Sequence, residues 1–417
     1  MRETFVIALL SILVAGVAAQ NHPNGYVGGS GSGQVIFFSS QGVATTVTVG
    51  TSTCYGLVMD APNRVLLAAN LDNLIYRVDP VTRAIIGSIP GVSSPYDLAI
   101  DCHGDLIVAT SSAVLKIDAS NTITTIASAL STIYGGMTID PNTGDILVQS
   151  AAGTDPVLRV ARDGSSVVTL GGGMDARYGM DYHIPTDSIY SGSCCGDFSP
   201  ADAIYQLPML STTATIFLGS AAPPVGVYSL KADRSSAAVP RLVLGAFAPA
   251  ASSRGPGGIF HIDVATKSVT TFSTLPPNAS LYETEILYRR NVQTIRTATG
   301  QWAVGIKIPE DWAKVFVLAV STTGIRPGVP LPGGRTAYLT PDTVTFLGLT
   351  TGLAPFLTGA AGQLDAGGEA VAKLNLTAIG KPANGLRLFF LALTLNPAAP
   401  GGIETVTDPT VLLVEGL

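Results

Sequence analysis

Five tyrosines stand at recurring places in the chain: Tyr55, Tyr96, Tyr134, Tyr178 and Tyr282. A phenol ring joins a flat apolar face to a hydroxyl, so tyrosines gathered round one opening can stack on a sugar ring or grip a peptide. The competing role is packing between repeats, which recurring positions commonly serve. Carboxylates follow two of these tyrosines, Asp97 and Glu283, where the other copies have Gly56, Gly135, Gly179 and Gly226. A hard cation such as Ca²⁺ takes about six to eight oxygens, and two carboxylates fall short of that set. No metal site is therefore expected, with Ca²⁺ the one cofactor left open. Loops facing the same way carry Asn70, Asp72, Asn73, Ser111, Ser112, Asp155, Cys194, Cys195, Asp197 and Arg254, and loops on a rigid scaffold are where recognition usually resides. The expected ligand-binding mouth comprises Tyr55, Tyr96, Asp97, Tyr134, Tyr178, Tyr282, Glu283, Asn70 and Asp72.

Nucleophilic and metal chemistry have no further signature. His22, His103, His183 and His261 are scattered, and neither G-x-S-x-G, C-x-x-C nor H-E-x-x-H occurs. The four cysteines, Cys54, Cys102, Cys194 and Cys195, are disulfide candidates, and four cysteines allow three pairings. Adjacent Cys194 and Cys195 either close a vicinal ring or pair elsewhere or stay reduced.

The elements that must hold these residues recur. Tyr55-Gly56-Leu57-Val58-Met59-Asp60 returns as Tyr96-Asp97-Leu98-Ala99-Ile100-Asp101 and, with one insertion, as Tyr134-Gly135-Gly136-Met137-Thr138-Ile139-Asp140, with weaker copies starting at Tyr178, Val225 and Tyr282. The spacings are 41, 38, 44, 47 and 57 residues, near the ~40 that one four-stranded propeller blade takes. After each copy come a turn, a second β-rich run and a sharper third run such as Leu74-Ile75-Tyr76-Arg77-Val78. Asp60, Asp101 and Asp140 precede the turns and are suited to accept their N–H groups. The chain start offers only a third and a fourth strand (35–39, 44–49). Residues 281–288 and 291–297 offer only a first and a second. Joined in one sheet, with Ile36 and Ile286 as members, the two ends close a ring. The expected fold is all-β: a six-bladed β-propeller over residues 20–298, closed by N- and C-terminal strands of one blade, then a β-sandwich over 299–417.

The repeated Tyr-Gly-Leu-x-x-Asp strand, followed by Gly-Asp-[Leu/Ile]-x-Val, resembles the NHL and gluconolactonase-like group of six-bladed propellers. That resemblance spans about two thirds of the chain and implies a fold shared by metal-dependent lactonases, amidating lyases and pure binding platforms. Runs at 315–321, 343–349, 368–376, 386–395 and 409–415 read as further strands between Gly, Pro and Asn turns. Leu331-Pro332-Gly333-Gly334-Arg335, Leu364-Asp365-Ala366-Gly367-Gly368-Glu369-Ala370 and Leu391-Ala392-Leu393-Thr394-Leu395-Asn396-Pro397 are similar to a C-terminal β-sandwich module of secreted proteins from planctomycete-like bacteria. The resemblance implies no activity for it.

Met1-Arg2, an apolar run over 5–14 and Val17-Ala18-Ala19 have the form of a secretory signal peptide cleaved after Ala19, an uncleaved anchor being the alternative. No later run is apolar for the roughly 20 residues a membrane span needs. Charged residues make up 12% of the chain and the net charge is -6, which gives no cationic footprint for nucleic acid. The expectation is a protein secreted to the extracellular space or cell envelope. It binds a carbohydrate, peptide or small molecule, with a glycan or protein as partner, without catalysis. The alternative is a divalent-metal-dependent hydrolase or lyase of the lactonase-like type, using Asp97 and Glu283.

Overall fold

A computed structural model describes residues 25–417, apart from 40, 61–64, 131–132, 134–135, 151–155, 175–177, 194–202, 220–225, 234–240, 247–256, 276–280, 288–290 and 352. The signal-peptide segment, Tyr134, Asp155, Cys194, Cys195, Asp197 and Arg254 lie outside the described residues. The described chain is all-β with one α-helix, Thr343–Thr351.

Six antiparallel four-stranded sheets occupy residues 26–286. Sheet I contains Cys54–Asp60, Val65–Asn70, Leu74–Val78 and Ile85–Pro90. Sheet II contains Pro95–Ile100, Leu106–Thr110, Val114–Ile117 and Ile123–Ala127. Sheet III contains Met137–Ile139, Ile146–Gln149, Val157–Val160 and Val167–Gly171. Sheet IV contains Tyr178–His183, Ser188–Gly192, Ile204–Pro208 and Thr215–Leu218. Sheet V contains Val227–Asp233, Arg241–Ala246, Gly258–Asp263 and Val269–Thr274. Sheet VI joins the two ends of this region in the order Leu281–Ile286, Tyr26–Ser30, Gln34–Phe38, Ala44–Thr48. First strands lie against one another in cyclic order, I on II and onward to VI on I.

Burial follows position within each sheet. Second strands such as Leu106–Thr110 and Ser188–Gly192 are buried throughout, whereas fourth strands such as Ala44–Thr48 are largely exposed. A strand covered on both faces must be apolar at successive residues, and Leu106-Ile107-Val108-Ala109 satisfies that demand. An apolar cluster fills each gap between neighbours. Between sheets I and II it holds Leu67, Ile75 and Ile89 against Leu98, Val108 and Ile117.

Ile36 and Ile286 share sheet VI, but the ends contribute differently from the expected two and two. Tyr26–Ser30 is the second strand, pairing Tyr26 with Phe38 on one side and with Ile286 on the other. Its glycines hide it from a β-propensity reading, and they are there for space. A Cβ on Gly28 would lie 2.4 Å from Leu281 Cδ2, and one on Gly29 would lie 2.5 Å from the Cys54 carbonyl oxygen. Asn291–Ala298, expected in this sheet, instead forms a hairpin with Gln301–Lys307. Thr299-Gly300 makes the tight turn, with Gly300 at φ +71°.

Among the described residues three further sheets follow, one of them only the two-stranded hairpin of Val329–Leu331 and Arg335–Ala337. Of the two larger sheets, one has the order Asn291–Ala298, Gln301–Lys307, Glu369–Asn375, Leu357–Thr358. The other pairs Val315–Ser321 with Arg387–Leu395, flanked by Ala361–Gln363, Ile403–Val406 and Thr410–Leu413. They share a core in which Trp302, Val304 and Ile306 of the first meet Phe316, Leu318 and Phe390 of the second. The run at 343–349 is helix, not strand. Asp342 accepts the Thr345 N–H at 2.9 Å through Oδ1, and this N-terminal cap outweighs the β-branched composition.

The C-terminal sheets dock on the six. One continuous apolar cluster joins Leu147, Tyr182, Ile184 and Leu207 to Ile325, Leu339, Phe389 and Val411. Polar bonds reinforce the joint: Arg162 reaches Glu415 at 2.7 Å, Arg326 pairs with Asp187 at 3.3 Å, and the Arg296 N–H donates to the His103 carbonyl at 3.1 Å.

Candidate functional site

Tyrosines gather at one end of the first strands. In sheets I, II, V and VI the pairing slips by one residue, leaving Tyr55, Tyr96, Tyr228 and Tyr282 in β-bulges, and a bulge re-aims the side chain it carries. Tyr178 begins the corresponding strand of sheet IV, one residue ahead of its bulge. The rings form a chain: Tyr96 on Tyr55 at 5.2 Å between centroids, Tyr55 on Tyr282 at 5.0 Å, Tyr282 on Tyr228 at 4.6 Å, and Tyr228 on Tyr178 at 4.8 Å. Tyr228 is buried and the other four are half-buried, so part of each of those four side chains stays accessible. Burial, with neighbouring phenols adding to it, pushes the Tyr55 and Tyr228 hydroxyls well above the usual range, and both stay neutral.

Tyr228 is the member missing from the expected mouth. Tyr228-Ser229-Leu230-Lys231-Ala232-Asp233 matches Tyr55-Gly56-Leu57-Val58-Met59-Asp60 at tyrosine, leucine and aspartate, so the signal was present three residues beyond Val225.

Beneath the tyrosines the strands carry buried charge. Asp97 has no exposure; it accepts the Leu98 N–H at 2.7 Å through Oδ1, and the Met137 and Gly136 N–H groups at 2.7 and 3.2 Å through Oδ2. Glu283 Oε1 accepts the Ser229 hydroxyl at 2.7 Å and the Thr284 N–H at 2.8 Å, with Lys231 Nζ 3.5 Å away. Asp181, which the sequence reading did not single out, accepts the Thr138 hydroxyl at 2.7 Å and the Ala232 N–H at 2.8 Å. These carboxylates reach from one sheet to the next: Asp97 joins II to III, Asp181 joins III, IV and V, and Glu283 joins V to VI. Burial raises the Asp97 and Glu283 carboxyls, with Lys231 pulling the other way, and leaves Glu283 pushed up to about 8. Burial disfavours the Lys231 cation, but Glu283, Asp97, Glu285 and Asp181 outweigh it and keep the ammonium charged.

Asn70 ends sheet I's second strand, and Asp72 lies in the loop from there to the third. Asn70 is fully buried with neither amide atom hydrogen-bonded, and Asp72 accepts the Tyr76 hydroxyl at 2.8 Å. Asp101 and Asp140 accept turn N–H groups as expected, from His103 and Asp105 at 2.8 and 2.9 Å and from Asn142 at 2.9 Å. His183 is packed, with no exposure and Nδ1 2.9 Å from the Thr186 hydroxyl.

Cys54 and Cys102 are free buried thiols, which corrects their candidacy for a disulfide. Cys54 opens a first strand at the tyrosine end and Cys102 follows the far end of the next one. Six strand residues at about 3.3 Å each separate the two levels by roughly 20 Å. A disulfide spans only about 4.4–6.8 Å between Cα atoms.

At the other end, a cavity of about 200 Å³ is lined by Val58, Leu98, Thr138, Asp181, Lys231 and Glu285 from all six first strands and by Val411 of the C-terminal sheets. The C-terminal segment thus covers the end opposite the tyrosines. Among the described residues no group of three or more His, Cys, Asp or Glu is placed to hold a metal ion, and no helix is long and apolar enough to cross a membrane. The chain matches no protein-family model and no curated protein.

Proposed function

We propose that the six sheets are the blades of a six-bladed β-propeller of the NHL and gluconolactonase-like kind, with the C-terminal pair a β-sandwich fixed to its lower end. On this reading the chain is a secreted, non-catalytic binding protein that takes a carbohydrate at the tyrosine mouth. The observation that carries it is the run Tyr96–Tyr55–Tyr282–Tyr228–Tyr178, with centroid separations of 4.6–5.2 Å and four of its rings half-exposed. Such a floor suits the apolar face of a pyranose, because each phenol joins an apolar ring to a hydrogen-bonding hydroxyl. Asp97 and Glu283 accept N–H and O–H donors of their own strand and of the neighbouring sheet, which favours a stitching role over general acid–base or calcium chemistry.

Calorimetric titration with a panel of neutral oligosaccharides tests this. Binding should weaken about 3- to 10-fold in Tyr55→Ala and again in Tyr282→Ala, as expected for the loss of about 0.7–1.4 kcal/mol per ring. No binder in the panel, or a binder indifferent to both substitutions, overturns it. A saturable rise in melting temperature at micromolar Ca²⁺ would support the metal-dependent alternative instead.

A further inference from the structure

His103, Arg162 and the last residues of the chain form a buried joint beside sheet II. His103 Nε2 lies 2.8 Å from the Leu413 carbonyl oxygen, and Arg162 Nη2 contacts Nδ1. A carbonyl can only accept and a guanidinium can only donate, so the ring is neutral, with its hydrogen on Nε2 and its lone pair on Nδ1 facing Arg162. A proton on Nδ1 would set N–H against N–H and place a second positive charge, the imidazolium's, beside the guanidinium.

We propose that this joint is an acid-sensitive latch: protonation of His103 breaks its bond to Arg162, and the imidazolium, pushed off the guanidinium, gives up the Leu413 carbonyl and loosens the edge of the C-terminal sheets from sheet II. The other charged groups here do not offer the imidazolium a partner. Asp101 Oδ2 holds Arg162 Nε at 2.8 Å, while its Oδ1 takes the His103 and Asp105 N–H groups. Glu415 holds Arg162 Nη1 at 2.7 Å, and Asp105 stands 4.0 Å from Nη2 and 3.8 Å from Lys116 Nζ. The Arg296 guanidinium bonds the Gly416 carbonyl, and the Cys102 thiol is neutral, pushed by burial up to about 12. Burial first, and then Arg162, hold His103 below its ordinary value, against weaker opposing pulls from Leu413, Asp101 and Glu415.

The sign follows from linkage. The closed joint binds no proton while an opened imidazole titrates near about 6.5, so the latch is secure above that value and weakens as pH falls. The Arg296 amide, which donates to the His103 carbonyl, reports on it. Hydrogen exchange of that amide, corrected for intrinsic rate, should show protection falling up to tenfold per pH unit from about pH 6.5 to 5 in the native chain. His103→Gln can donate and accept in the same places without titrating, and its protection should be flat over this range. Nitrogen-15 shifts of the native imidazole, which should report the Nε2–H form at pH 7, supply a readout independent of that variant. Flat protection in the native chain, an equal slope in His103→Gln, or a protonated ring beside a protected Arg296 amide would each overturn the latch.

Discussion

Asp97 separates stitching from ligand binding most sharply. Asp97→Ala removes the acceptor of three buried N–H groups, those of Leu98, Gly136 and Met137. A buried donor left without its partner costs about 1–3 kcal/mol, so the three together give a loss of about 3 kcal/mol or more. Asp97→Asn keeps one acceptor oxygen and turns an NH₂ toward the remaining donors, and it should lose about half as much. Part of the loss is offset because burial already disfavours the Asp97 charge. Urea unfolding followed by far-ultraviolet circular dichroism would read both variants. An Asp97→Ala protein within about 0.5 kcal/mol of the native chain would refute the reasoning, because surface-like substitutions are what fall in that range.

The remaining expectations rest on single groups. The Glu283 carboxyl, pushed up to about 8 from 4.5, holds a proton in the fold that the unfolded chain releases; its contribution to stability is full below about 4.5 and lost as pH rises through about 8. Glu283→Gln should therefore flatten the pH dependence of the unfolding midpoint across that window, and an unchanged slope would contradict the assignment. Cys54 and Cys102 should resist alkylation in native buffer and react once the chain is unfolded, because burial holds both thiols protonated; timed labelling with peptide mass mapping checks this. Asp342 caps Thr343–Thr351 through the Thr345 N–H and also accepts the Thr322 N–H at 2.7 Å, so Asp342→Ala should cost about 1–2 kcal/mol in the same unfolding assay.

Much of the strand order was legible because the repeat carries its own markers. Tyrosine, leucine and aspartate at fixed offsets mark the first strands of sheets I, II and V, tyrosine alone marks those of IV and VI, and the turn residues after Asp101 and Asp140 do in the structure what their chemistry suggests. What escaped the sequence was set by neighbours far away in the chain. Gly28 and Gly29 weaken any β signal in Tyr26–Ser30, yet Leu281 and Cys54 leave room for nothing larger. Residues 291–298 have strand composition, but composition does not say which sheet they join; the Thr299-Gly300 turn does, by folding them onto Gln301–Lys307. Asp181 and Lys231 carry no motif, and their roles depend on strands about 40–50 residues away. The partner of His103 lies 310 residues along the chain, a separation no local pattern reveals.

Tyr26–Ser30 sits between Leu281–Ile286 and Gln34–Phe38 and ties the two ends of the six-sheet region together. Deleting residues 1–30 removes that strand and leaves both neighbours with unpaired edges. The shortened chain should lose the cooperative unfolding transition of the native protein, and a synthetic peptide spanning residues 25–33 should restore it in part. A truncated protein that melts cooperatively at the native temperature, with no response to the peptide, would contradict the pairing of the two ends in one sheet, on which the proposed tyrosine mouth rests.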